Sequence, residues 1–176
     1  AIARDVEHFS SRSVSVVESL DNDVLPSGIP PISADAPIHT WSRRLILPWF
    51  SHTRVAQYEP MTRNLCRRLA TEIAERGHGD AATEYAQQIP ARVIAELLGV
   101  HPDMADTFTG WVRDLLEFAH DTERRERGRN SLVAYLIAQI EDRKTNPGDD
   151  LISDLLHAEV DGEPVPEAHV LGTAAL

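Results

Sequence analysis

One cysteine, Cys66, stands in the 176 residues. No disulfide can form within the chain, so a reducing cytoplasm is the expected compartment. No apolar run approaches the ~20 residues that a membrane helix needs. The start shows no secretory signal pattern. Basic residues are scarce: 17 Lys plus Arg face 28 Asp plus Glu, for a net charge of -11. That argues against nucleic acid, whose phosphates are bound by basic surface. There are eight histidines, yet no H-E-x-x-H, no pair at i, i+4 and no cysteine cluster, so no protein-held metal site is indicated. Gly77-His78-Gly79 follows a helical pattern and lacks the third glycine of a dinucleotide fingerprint. No G-x-S-x-G elbow supports a serine nucleophile. Internal repeats, low-complexity tracts and domain linkers are missing too.

What is present is an ordinary globular composition, 42% hydrophobic, enough for one sizeable domain or a large piece of one. Nearly all of it reads as helix. Residues 1 to 8 form a short helix end. Ser10 to Ile32, with Pro26, Gly28, Pro30 and Pro31, form a long loop. Asp35 is the expected cap of the next helix, with Pro37 in its first turn and Pro48 at its end. Ser51 and Thr53 cap a short turn, and Pro60 restarts a longer helix that Gly77-His78-Gly79 closes. Another helix covers 83 to 98, with a kink or restart at Pro90 and a stop at Gly99. His101-Pro102 opens the next, where Phe108, Trp111, Val112, Leu115 and Leu116 are spaced as one apolar stripe. Asp121 to Arg129 is dense in charge and expected to be exposed. Leu132, Leu136 and Ile140 fall in helical register. Asn146-Pro147-Gly148 is a turn, and Asp149 or Asp150 caps a short helix to Ala158. The Asp161-Gly162 pair predicts a tight hairpin, and Pro166-Glu167 open the last helix.

The most informative stretch runs from Asp35 to Phe50. His39 and Arg43 are four residues apart at the front of an amphipathic helix, hence on one face and one turn apart. Two donor groups so placed suit a dianionic partner, such as a pair of carboxylates. A solvated face that happens to carry both residues is the alternative. Arg44 points elsewhere on the helix, and Trp41, also off that face, reads as a packing residue between helices. Cys66 lies among Leu65, Leu69 and Ile73, where a free cysteine is a small buried hydrophobe. Six arginines and one acid, Glu59, fall between Trp41 and Arg68.

The order IPPISADAPIHTWSRRLILPWFSHTRVAQYEP resembles the helix C region of the bacterial cytochrome P-450 family, the heme-thiolate monooxygenases. IPARVIAELLGVHPDMADTF is similar to that family's helix E running into helix F. NPGDDLISDLLHAEVDGEPVPEAHVLGTAAL resembles helix H, the following hairpin and the start of helix I, and RDVEHFSSRS the stretch after helix B. The resemblance implies a mainly α fold, about helix B to the start of helix I, with a short hairpin near 159–164 and no internal domain boundary. It implies heme b, with His39 and Arg43 on the propionates and the iron held by a cysteine outside this chain. It implies a ferredoxin-type or flavin-type electron donor, docking on a patch that includes Arg44 and Arg54. The substrate would be a small organic molecule, with O2 as co-substrate. Ile29, Ile32, Leu115, Leu116, Phe118 and Leu176 would line its pocket. The opening without methionine and the uncapped apolar close predict an internal part of a longer protein, inactive and aggregation-prone by itself. The competing expectation is an all-α ligand-binding or regulatory domain without chemistry.

Overall fold

The computed structural model of the chain describes residues 5, 8–12, 29–118 and 120–175. The helix expected over 1 to 8, and most of the loop to Ile32, lie outside the described residues. The described residues are mainly helical, with one two-stranded antiparallel sheet. The chain divides into two compact units, one of residues 1–48 and 133–176, the other of residues 49–132. No linker separates them: one boundary falls in a 3-10 turn, Leu47–Phe50, and the other inside a helix.

In the first unit, α1 spans Ile38–Ile46. Its N-cap position is Pro37, with no side-chain cap. The expected cap, Asp35, accepts instead from the Ser10 hydroxyl at 2.6 Å and the Ser11 amide at 2.8 Å. Its carboxylate is engaged by the preceding segment and is not available to the helix's amides. The second half of α5 (Thr122–Arg143) supplies Leu136 and Ile140, both buried as their spacing predicts. Asp150 caps α6 (Leu151–Leu156) by accepting from the Ser153 amide at 2.8 Å. Arg143 donates to the same carboxylate at 3.1 Å, which makes a buried ion pair. The hairpin pairs β1 (Glu159–Val160) with β2 (Glu163–Pro164). Asp161 and Gly162 turn it with φ of 55° and 85°, the left-handed conformations a tight hairpin needs. Then α7 (Glu167–Ala174) is buried from His169 onward, with Val170 at its centre.

In the second unit, α2 runs unbroken from His52 to Arg76, capped by Ser51. Pro60 therefore does not restart a helix; it sits inside one. Its ring removes the amide that would reach Ala56, and both residues are exposed, so water can satisfy the freed carbonyl. Gly77, at φ 72°, ends the helix. A wide turn over Ala82–Ala86 leads into α3 (Gln88–Leu97), whose first turn takes Pro90. His101 caps the turn before α4 (Ala105–Glu117). The α4 stripe is narrower than its spacing suggests: Phe108 is buried, but Leu116 is 60% exposed. The charge-dense stretch from Asp121 is largely exposed, as expected, and opens α5; Gly128 within it is buried. A Cβ at Gly128 would stand 2.8 Å from Asp114 Cβ and 2.9 Å from the Trp111 carbonyl, so α4 and α5 meet almost backbone to backbone. The Arg124 side chain closes this helical pair, donating to Asp114 at 2.6 Å.

Candidate functional site: the α1 face

His39 stands in the first turn of α1, half-buried, and Arg43 follows one turn on, exposed. Neither Arg43 nor Arg44 meets an acid among the described residues. The first turn of α1 carries no acid, and the Asp35 carboxylate just ahead of it lies within electrostatic reach of His39. An imidazole and a guanidinium one turn apart near a helix N-terminus form a site for carboxylates or phosphates. A porphyrin's two carboxylates match that donor set in number. Arg44 lies about 100° further round the helix than Arg43.

The remaining expected residues fall in both units. Arg54 is half-buried, lies 3.9 Å over the Trp49 ring and donates to Gln57 at 3.1 Å, so it packs rather than projects. Ile29 is buried, whereas Ile32 is 47% exposed. The Phe118 ring is covered by the Arg124 guanidinium at 3.3 Å, and Leu115 is half-buried. Leu176 lies outside the described residues. Of these residues, none lines a wide groove of the second unit. That groove, of about 860 Å³, is walled by Phe50, Val55, Tyr58, Cys66, Tyr85 and Ile94 among others. Cys66 is thus only half-buried and faces the groove rather than the Leu65–Leu69 core. The Tyr85 hydroxyl is hydrogen-bonded to it, which raises the tyrosine's pKa. Among the described residues no cluster of His, Cys, Asp and Glu could hold a metal ion.

Two features of α1 escaped the sequence. Ser42, 1% exposed, meets His169 Nε2 of α7 at 3.0 Å. Trp41 stacks on the same imidazole, ring centres 4.2 Å apart and tilted by 33°, which gives its expected packing role a partner. His169 is 5% exposed, and burial pushes its pKa down to about 4. The second feature is Asp35, whose carboxyl is held below the usual range by the Ser10 hydroxyl, then the Ser11 amide. No periodicity could have paired His169 with a residue 127 positions earlier.

No protein-family model matches the chain. Individual relatives do. Cytochrome P450 107B1 of Saccharopolyspora erythraea is 31% identical over 82% of this chain and 36% of its own length. A steroid C26-monooxygenase of Mycobacterium tuberculosis is 34% identical over 75% of the chain and 37% of its own length. Among solved structures, cytochrome P450 CYP109Q5 from Chondromyces apiculatus superposes with a TM-score of 0.79 at 33% identity, over 98% of this chain and 44% of that one. The helical order and the hairpin are therefore those of the cytochrome P450 fold. The chain belongs to the bacterial cytochrome P450 family. It spans just over a third of the length of the curated relatives it matches. No helix among the described residues is long and apolar enough to cross a membrane.

Proposed function

We propose that this chain is part of a bacterial heme-thiolate monooxygenase, in which α1 holds the heme carboxylates through His39 and Arg43. The observation that carries the reading is the pair itself: two donors on one helix face, with no acid on Arg43 among the described residues. Arg43 supplies a planar fork that suits a carboxylate. His39 supplies a ring N–H from a half-buried position, where a hydrogen bond to an anion is stronger than in open solvent. Bound heme b, its iron held by a cysteine elsewhere in the complete protein, would supply oxygen activation. The complete enzyme would insert one oxygen atom into a small organic substrate, with electrons from a ferredoxin-type or flavin-type donor. Arg44, exposed and without an acid among the described residues, suits an acidic donor's approach through long-range attraction. Arg54 contributes to that field but is tied to Trp49. Ile29 and Leu115 are offered as pocket residues of the complete protein.

The test is the absorption spectrum of the complete protein, reduced and exposed to carbon monoxide. A Soret band at the thiolate-specific position supports the reading. A colourless protein after expression with ample heme would instead support the all-α binding or regulatory domain.

A further inference from the structure

The Ser42 hydroxyl has one proton, and it is already committed. Ser42 Oγ lies 2.6 Å from the Ile38 carbonyl, to which it donates. At the 3.0 Å contact with His169 the oxygen can only accept, so His169 Nε2 carries the proton. Burial, which lowers its pKa to about 4, keeps the imidazole neutral, so it is a donor in a fixed tautomer. Trp41 stacks on the same ring. The two anchored residues, Trp41 and Ser42, directly precede Arg43 on α1, and both contacts converge on one side chain of α7.

We propose that His169 is a positioning residue: through Ser42 and Trp41 it fixes the rotation of α1 about its axis and so aims His39 and Arg43 at the heme carboxylates. The proposal rests on the reading of those two residues given above. The geometry makes rotation the sensitive coordinate. Side chains reach about 5–6 Å from a helix axis, so a turn of about 20° carries a guanidinium about 2 Å sideways. Charge-assisted hydrogen bonds hold only over a narrow distance range of roughly 2.7–2.9 Å. Elsewhere α1 offers little resistance to turning: Ser42 is its one buried residue, and Ile38 is 47% exposed.

The experiment follows heme transfer from the complete holoprotein to an apo-acceptor protein, for wild type, His169→Leu, His169→Gln, Arg43→Ala and the His169→Leu/Arg43→Ala double variant. Circular dichroism checks that each is folded. His169→Leu should release heme about fivefold faster, the scale of one hydrogen bond. His169→Gln keeps a donor and should stay within about twofold of wild type. In the Arg43→Ala background the effect of His169→Leu should shrink to about twofold, because only the His39 contact is left to misaim. A wild-type rate for His169→Leu overturns the proposal. So does the same fold-change in both backgrounds, the mark of a generally loosened fold. Arg43→Ala with a wild-type rate would overturn the carboxylate reading itself, and the proposal with it. Should His169→Leu not fold, Ser42→Ala removes only the acceptor hydroxyl and carries the same comparison.

Discussion

The two units differ in where their polar pairs lie. The first unit buries two of them: Ser42 with His169 between α1 and α7, and Arg143 with Asp150 between α5 and α6. It leaves Arg43 and Arg44 facing outward with no acid among the described residues. The second unit keeps its pairs nearer the surface, Arg92–Asp106 and Arg124–Asp114 between its helices included. Arg63 pairs with Glu59 one turn away on α2, Arg54 lies on Trp49, and Arg76 reaches Glu84 in the next turn of chain. Its buried α2 positions are only Leu65 and Leu69. A cation already satisfied by its neighbours has little left for a ligand. The contrast separates a helix anchored through a buried hydroxyl from one whose arginines are in part paired along its own surface.

The sharpest way to test this contrast is to break the buried pair. Asp150→Ala removes the α6 cap and the buried partner of Arg143, which keeps Asp142 at 3.2 Å and Gln139. It should cost about 2–3 kcal/mol in chemical denaturation of the complete protein. A loss below about 1 kcal/mol would mean that water reaches the pair.

Acid should act on the first unit through His169. Its folded pKa, about 4, lies below the ordinary 6.5. Between those values the unfolded chain takes up a proton that the folded chain refuses. The associated stability is fully present above pH 6.5, falls as the pH drops toward 4, and is lost below that. The total is up to about 3 kcal/mol. His169→Gln should flatten this part of the stability profile, measured as unfolding midpoints from pH 7 to pH 4. An unchanged slope would assign the acid sensitivity to another group.

On the outward face, Arg43→Ala should accelerate heme transfer from the complete protein by about tenfold or more, and His39→Ala somewhat less. Arg44→Ala removes the same charge from the same helix and should leave the rate near wild type. Equal rates for Arg43→Ala and Arg44→Ala would reduce the pair to surface charge. The smallest effect belongs to α2: Glu59→Ala breaks an exposed pair one turn apart and should change stability by at most about 0.5 kcal/mol. A cost several times larger would erase the distinction between the units.

Local chemistry was readable in the sequence wherever one residue type dictates one backbone state. Asp161-Gly162 marked the hairpin, Gly77 and Gly99 the helix stops, and Leu136 and Ile140 a buried stripe. Reading failed where two local rules competed. Pro60 lacks an amide, but the rest of a 25-residue helix outweighs one lost bond on a wet face. Asp35 has the side chain of a cap, but Ser10 and Ser11 hold it first. At the α1 face, His39 and Arg43 were legible because both belong to one turn. His169 was not, because its partners lie on another element brought near only by folding. The pocket role of Phe118 came from the resemblance alone, and nothing in its local sequence hinted at the arginine stacked upon it.

Gly128 has a consequence of a different kind. At the α4–α5 crossing the fitting part is an atom that is not there, and the gap leaves no room for even a methyl group. Gly128→Ala would act as a shim, levering the two helices apart at one end while Arg124 still clasps Asp114 nearer the turn. The spacing of that helical pair is thus set in steps of single carbon atoms, at a position no ligand need touch.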